Sequence, residues 1–221
     1  MRLFSHIRRG GIIAIRLDEG DRLLSVKKTD AKATILIANS DGLAIRFDES
    51  RVRVMGRGAR GVRAMKLRDG AKIVGCIICG EEDEEKLMLT VTNNGMGKCT
   101  PLSEFRVSGR GGKGIKCQKI TEKTGALVGI SEVNKEDDLM LITNEGILIR
   151  LPAEQISTSG RAAAGVILMR LNAGQEIVGM QVVKYEPDEV EEGGESLLIA
   201  DDAEEILDLE SDESDDEADE E

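Results

Sequence analysis

Basic side chains recur in this chain inside glycine-rich turns, a combination that suits the binding of phosphate groups. The turns span residues 5–11, 55–61, 108–114 and 159–165, and we number them turn 1 to turn 4. Glycine lets backbone N–H groups approach phosphate oxygens closely, and Arg or Lys adds charge-assisted hydrogen bonds. The candidate phosphate contacts in and beside the turns are Arg8, Arg9, Arg57, Arg60, Arg63, Arg110, Lys113, Lys116 and Arg161.

The turns are evenly spaced along the chain. Each closes on a glycine, and the closing glycines lie 50, 53 and 51 residues apart, which indicates a repeat architecture. Strand-length apolar segments follow the turns, and a second set of apolar segments comes about six residues later. The first set covers residues 12–17, 62–67, 115–120 and 166–171, and the second covers 23–25, 73–75, 127–129 and 177–179.

Three of the four repeat units also contain a hairpin signal. Short apolar runs meet the pairs Asp41-Gly42, Asn94-Gly95 and Glu145-Gly146, and the first two pairs supply the positive φ angles of tight turns. A unit of about four short antiparallel strands cannot bury its own faces and must stack on its neighbours. We therefore predict an all-β fold, a β-pinwheel or propeller-like array of about 3.5 four-stranded blades of 50–53 residues.

Charge divides the chain into two parts. Residues 1–185 contain all 30 Lys and Arg against 22 Asp and Glu, whereas residues 186–221 contain 20 acidic residues and no basic one. We predict a basic folded domain over 1–185 and a disordered acidic tail over 186–221. A tethered acidic tail could compete with DNA for the basic turns, and solubility is its simpler role.

A basic surface of this kind favours duplex DNA as the partner. Only four aromatic side chains occur, so the chain has no platform for stacking single-stranded bases, and no helix is predicted that could read a major groove. Binding should be nearly sequence-blind and should weaken steeply with salt. The same residues could instead form an ordinary solvated face of a β-repeat protein, because glycine-rich turns occur throughout such folds.

One of the turns resembles a known motif. Turn 3 reads Ser-Gly-Arg-Gly-Gly-Lys-Gly and is similar to the Q-R-R-G-G-K-G box in the C-terminal domain of the DNA gyrase A subunit, with five of seven positions in agreement. Arg110 and Lys113 match the box residue by residue, and Ser108 and Gly109 depart from it. Further sequence segments that resemble later blades of that domain lie at residues 50–62, 93–98, 125–129 and 156–161.

The resemblance implies a six-bladed pinwheel that bends DNA around its basic edge, of which this chain would be the C-terminal portion. It also implies a role in ATP-dependent supercoiling within an A2B2 assembly with the gyrase B subunit, in the bacterial cytoplasm at the nucleoid. ATP and Mg would belong to other domains, and we expect this chain to bind no cofactor. The corresponding domain of topoisomerase IV and a protein-interaction scaffold remain alternatives.

Catalytic and metal-binding patterns are weak. The sole tyrosine, Tyr185, lies beside the acidic tail, and His6 has no companion at a useful spacing, so we expect no catalysis from this chain alone. Cys76 and Cys79 have the spacing of half a zinc site without a second pair, which favours buried reduced thiols. No apolar segment approaches the roughly 20 residues of a membrane span, and we expect no membrane partner.

Overall fold

The computed structural model describes residues 9–80 and 83–185, and within them the regular structure consists of short strands and three-residue 3₁₀ turns. The all-β, propeller-like fold class is thereby confirmed. The acidic segment 186–221, the start of turn 1 and His6 lie outside the described residues, so the domain boundary after residue 185 and the disordered tail stay predictions. The strands are β1 Thr34–Asn39, β2 Leu43–Asp48, β3 Ile73–Cys79, β4 Leu87–Thr92, β5 Met96–Pro101, β6 Val107–Ser108, β7 Ile115–Lys116, β8 Leu127–Val133, β9 Asp138–Thr143, β10 Leu148–Pro152, β11 Val166–Ile167 and β12 Ile177–Val183.

Three sheets, which we call blades A, B and C, are built on the three predicted hairpins. Blade A has the order β3-β1-β2, with β6 and β7 on the far side of β2. Blade B has the order β8-β4-β5-β11, and blade C has the order β12-β9-β10. The hairpins pair where the glycine turns predicted them, and Gly42, Gly95 and Gly146 all have positive φ.

A blade is not the same unit as a sequence repeat, which is a difference from our prediction of four strands in each unit. The hairpin β1–β2 takes β3 from the next repeat and β7 from the repeat after that, and the hairpin β4–β5 takes β8 and β11 in the same way. Each blade therefore exchanges strands with its neighbours. The exchange ties consecutive repeats together through backbone hydrogen bonds.

The same exchange explains why two predicted strand segments are irregular. Residues 12–17 and 62–67 form no strand, although the equivalent β7 and β11 do. β7 is held by its pairing with β2 and β11 by its pairing with β5, whereas residues 12–17 and 62–67 pair with no strand among the described residues. Leu23 and Leu24, in the predicted inner-strand position, are also outside any strand and more than half exposed. An exposed polar backbone without a ladder partner has no reason to adopt a strand.

The inner strands of neighbouring blades approach one another at recurring glycines. A Cβ on Gly75 of β3 would lie 2.5 Å from the Ile130 side chain of β8, and a Cβ on Gly129 of β8 would lie 2.8 Å from Met180 of β12. The glycines that recur in the second apolar segment therefore serve close packing between blades.

Mostly aliphatic side chains and methionines fill the space between the sheets. One cluster, between blades A and B, includes Leu36, Met88, Leu102 and Phe105. A second cluster, between blades B and C, includes Leu89, Val133, Leu139 and Ile177. The part of the chain that the structure describes contains no helix with the length and apolar character that crossing a membrane requires.

The cysteines are packing residues in this arrangement. Cys79, Cys99 and Cys117 are buried, and Cys76 is partly buried, with all four thiols free. Burial raises the pKa of Cys79 and of Cys99 to about 11 and that of Cys117 to about 12, so these thiols are protonated at neutral pH. Cys76 and Cys79 are three residues apart on one strand, which places them on opposite faces of the sheet.

Candidate nucleic-acid interface

One backbone hydrogen bond, repeated three times, joins the four turns in sequence. The residue five positions after a closing glycine donates its N–H to a carbonyl of the next turn. The three bonds are Arg16 N–H to Ala59 O at 3.2 Å, Lys66 N–H to Gly112 O at 2.8 Å and Lys119 N–H to Ala163 O at 3.2 Å. The segment that follows each of turns 1 to 3 therefore lies beside the next turn, and we call this arrangement the turn row.

Turn 3 is seated on blade A by its closing glycine. Gly114 has a φ of +81°, and a Cβ there would lie 2.6 Å from Ala44 O of β2, so only glycine fits both the conformation and the space. Arg110 is exposed and donates from Nη1 to Arg63 O at 2.8 Å and from Nε to Arg51 O at 3.3 Å. These carbonyls orient the guanidinium without neutralising its charge.

A shallow groove lies against turn 3. Arg106, Gly109, Gly112 and Lys113 line it together with residues of β2. Arg106 and Lys113 are exposed, so two cations face solvent at a glycine backbone that an anion can approach closely. Arg106 was not among the residues that the sequence predicted.

Turn 4 has a different charge distribution, because its main cation lies underneath it. Lys98 of β5 is fully buried, and its ammonium donates to Gly160 O and to Arg161 O, the latter at 2.8 Å. Burial lowers the pKa of Lys98 to about 8. Above the turn, the Glu104 carboxylate accepts the Arg161 N–H at 3.1 Å and lies 3.7 Å from Arg161 Nε.

Turn 2 is less constrained than turns 3 and 4. Gly61 has a φ of +87°, but a Cβ there would meet nothing within 4 Å. Arg57 is half-buried and Arg63 is exposed, whereas Arg60 forms an exposed ion pair with Asp18 at 3.2 Å. Turn 1 is described only from Arg9 onward, where Arg9 is exposed, and Arg8 lies outside the described residues.

Most predicted cations keep their charge free of carboxylates. Two of the described candidates form ion pairs, Arg60 with Asp18 and Arg161 with Glu104. Among the described residues, no carboxylate lies within ion-pair distance of the other six, which are Arg9, Arg57, Arg63, Arg110, Lys113 and Lys116. Six of the eight described candidate cations are therefore not paired with a described carboxylate.

Sequence reasoning missed Lys98 and Glu104, although a signal for each was present. Three residues after the hairpin glycine, blades A and C carry Ile45 and Ile149, whereas blade B carries Lys98. Nine residues after that glycine, blade A carries Arg51 and blade B carries Glu104. A charge that breaks a repeat pattern marks a position with a special contact.

The described residues contain no cluster of three or more His, Cys, Asp or Glu side chains that could hold a metal ion. Tyr185 is 60% exposed, and its backbone N–H donates to Asp137 Oδ1 at 3.1 Å, at the end of the described chain. Among the described residues, this hydrogen bond gives Tyr185 a structural contact.

Known proteins match the chain over most of its length. A family model described as "DNA gyrase C-terminal domain, beta-propeller" matches residues 4–30, 33–79, 86–134 and 137–184. The DNA gyrase A subunit of Staphylococcus epidermidis is 46% identical over 185 residues, which cover 84% of this chain and 21% of that protein. The same subunit of a Staphylococcus aureus strain is 44% identical over 198 residues, which cover 90% of this chain and 22% of that protein. The chain thus spans about a fifth of the length of these relatives.

Solved structures give the same fold. The structure of a DNA gyrase A C-terminal domain matches with a TM-score of 0.69 and 27% identity, over 80% of this chain and 59% of that one. The crystal structure of a DNA topoisomerase IV C-terminal domain matches with a TM-score of 0.77, over 83% of this chain and 57% of that one, but at 22% identity it supports the fold alone. With the family model matched in all four repeats, the chain belongs to the DNA gyrase C-terminal domain family.

Proposed function

We propose that this chain binds and bends duplex DNA along the turn row, as the C-terminal part of a DNA gyrase A subunit. The observation that carries the proposal is the row itself. Consecutive glycine turns, joined by the same backbone bond, present six described cations that no neighbouring carboxylate neutralises. Regularly spaced positive charge fits the regularly spaced phosphates of a duplex.

Repetition of the turn matters for the energetics. Bending a site of 20–30 base pairs through 40–90° costs on the order of 1–6 kcal/mol, which additional phosphate binding along the bend must offset. A single exposed ion pair contributes about 0–1 kcal/mol, so one turn is insufficient. Several turns in a row supply the required number of phosphate contacts, and binding through phosphates carries little sequence preference.

In the parent protein, this module would support ATP-dependent supercoiling by a type II topoisomerase. The chain would act with the remainder of the gyrase A subunit and with the gyrase B subunit in an A2B2 assembly, in the bacterial cytoplasm at the nucleoid. ATP hydrolysis, Mg and the catalytic tyrosine would reside in other domains, and this chain would bind no cofactor. The names of the relatives that cover most of the chain favour gyrase over topoisomerase IV.

Charge reversal of the turns tests the proposal. The variant with Arg57, Arg60, Arg110 and Lys113 all changed to Glu should lose DNA bending in a circularisation assay on short duplexes. A matched variant with Lys28, Lys32, Lys123 and Lys135 changed to Glu alters the net charge equally outside the turns and should keep most bending. Equal loss in both variants would assign the effect to bulk charge and would reject the turn row.

The salt dependence separates DNA binding from the alternative of a protein-interaction scaffold. A phosphate track should lose affinity steeply as salt rises, with a log–log slope of about 0.9 for each phosphate contacted. Binding of a protein partner through the blade faces would show a much shallower slope. A flat dependence for DNA would therefore contradict the proposed function.

A further inference from the structure

Turn 4 has its carbonyl groups directed into the protein. Side chains of the blades donate to most of them: Thr100 to Ser159 O at 2.9 Å, Lys98 to Gly160 O and Arg161 O, and Gln118 to Ala164 O at 2.7 Å. The backbone N–H of Lys119 donates to Ala163 O. Lys98 and Gln118 are both buried, so the inner side of the turn is fixed by buried donors.

Because these carbonyl groups of turn 4 point into the protein, the N–H groups of the residues that follow them point the other way. In a trans peptide the C=O of one residue and the N–H of the next point in opposite directions, and the described chain has no cis peptide. The N–H groups of Arg161 and Ala162 therefore point away from Lys98, that of Gly165 points away from Gln118, and that of Ala164 points away from the Lys119 N–H. Those of Ala162 and Ala164 donate to no other group among the described residues.

An anion of the protein itself already lies on this outer side. Glu104 Oε2 accepts the Arg161 N–H, and both carboxylate oxygens lie 3.9 Å from the position that a Cβ on Gly160 would take. The Glu104 side chain is 39% exposed, so solvent ions can reach the same place. The Glu104 contact therefore shows that an N–H on this side of turn 4 can bind a negatively charged oxygen.

The loop that carries Glu104 is held in place from below. Leu102 and Phe105 on either side of it are buried, and the buried guanidinium of Arg46 donates from Nη1 to Leu102 O at 3.2 Å and to Phe105 O at 3.4 Å. The backbone that carries the Glu104 side chain is therefore fixed by these two hydrogen bonds. At the equivalent place beside turn 3, blade A carries Arg51 instead.

We propose that turn 4 is an anion-binding loop that Glu104 occupies in the free protein and from which a phosphate of the DNA backbone displaces the carboxylate. This inference rests on the proposed function for the identity of the phosphate, and on the geometry of turn 4 for the site. Glu104 would then weaken phosphate binding at turn 4, whereas no described carboxylate pairs with the cations of turn 3. The four turns are then unequal, although their sequences repeat.

Inorganic phosphate tests the loop without DNA. The full chain, labelled with ¹⁵N, is titrated with phosphate while the amide signals of Ala162 and Ala164 are followed. In E104Q these amides should shift at about two- to fivefold lower phosphate than in the unaltered protein, the range of exposed charge contacts. The control E154Q removes an exposed carboxylate from the equivalent 3₁₀ turn of blade C and should leave the titration unchanged.

A second variant guards against an indirect effect of the substitution. E104D keeps the charge and withdraws the carboxylate from Arg161, so its titration should fall between those of E104Q and the unaltered protein. Equal phosphate affinity in all of these proteins would overturn the inference. Equal effects of E104Q and E154Q would also overturn it, because the gain would then come from net charge.

Duplex DNA separates this inference from the proposed function. E104Q should bind DNA more tightly at low salt, with a log–log salt slope steeper by about 0.9, the value for one added phosphate contact. A steep slope that is identical in E104Q and the unaltered protein would reject the loop and leave the turn row standing. A flat slope for the unaltered protein would reject DNA as the ligand, and the phosphate titration would still decide whether the loop binds anions.

Discussion

Turn 3 and turn 4 have the same length and the same place in the repeat, yet they carry positive charge in different positions. In turn 3 the cations are exposed, and the position beneath the turn is filled by Ile45, whose side chain would lie 3.5 Å from a Cβ on Gly112. In turn 4 the equivalent of Ile45 is the buried Lys98, and Glu104 covers Arg161. A repeat thus preserves its backbone while its electrostatics diverge, and the closing glycine is what preserves the backbone.

The largest expected effect comes from that glycine. Gly165→Ala would place a Cβ 2.3 Å from Gly97 O at a φ of +81°, and we expect a loss of about 3 kcal/mol in unfolding free energy from strain and overpacking together. Denaturant unfolding followed by circular dichroism measures the loss. Gly61→Ala is the control, because its φ is also positive and its surroundings are open, so about 1 kcal/mol is expected there.

Removing the buried cation should produce the next effect. Lys98→Met leaves Arg161 O without its donor and leaves Gly160 O with only the Ala163 N–H at 3.0 Å, which costs about 1–3 kcal/mol of unfolding free energy at pH 7. A matched substitution of Ile45 by Met under turn 3 keeps an apolar group there and should cost less, about 1 kcal/mol. A K98M protein as stable as the unaltered one would show that the ammonium does not support turn 4.

The pH dependence of stability sharpens the same point. The pKa of Lys98 is about 8 in the folded protein and about 10.4 for an unperturbed lysine, so the unfolded chain holds this proton more tightly. The unfolding free energy should therefore rise as pH increases from about 8 to about 10, because the folded state no longer buries a charge. K98M should lack this part of the rise. Parallel pH profiles for the two proteins would contradict the assignment.

DNA affinity should be more sensitive to turn 3 than to turn 4. Arg110→Gln with Lys113→Gln removes two cations that pair with no carboxylate in the described part of the chain, and it should weaken binding about tenfold at low salt. Arg161→Gln removes a cation that Glu104 already neutralises in part and should weaken binding about twofold. Fluorescence anisotropy with a labelled duplex compares them, and equal losses would show that Glu104 has no influence.

The smallest expected effect belongs to the exposed ion pair beside turn 2. Asp18→Asn frees Arg60, and since both side chains are more than half exposed we expect less than about 1 kcal/mol change in unfolding free energy. DNA affinity should rise slightly as the free charge is restored. A large destabilisation would indicate that this pair fixes the otherwise irregular residues 9–32.

Much of the fold could be predicted from the sequence because its signals are local. The hairpins at Gly42 and Gly95 follow from turn residues that tolerate positive φ, and the blade spacing follows from the closing glycines. The predicted strands at 12–17 and 62–67 failed for a reason that is not local. Their counterparts β7 and β11 become strands only where an earlier hairpin offers a free edge.

The candidate site divides in the same way. Sequence analysis predicted the exposed cations of turn 3, because a basic glycine-rich turn is a local sequence motif. It included Arg60 and Arg161 without their carboxylate neighbours, since Asp18 and Glu104 are 42 and 57 residues away in the chain. It also left out Lys98, because the burial of this side chain becomes apparent only when turn 4 is located above it in the structure.

By itself, the sequence determined that this protein is a repeat of β-hairpins with basic glycine turns, since alternation and turn chemistry act within a few residues. Only the tertiary structure decided which repeat lends a strand to which blade and which cations are neutralised. Those outcomes depend on groups brought together from different repeats. For such groups, distance in space, which sets both hydrogen bonding and Coulomb energy, is not fixed by distance along the chain.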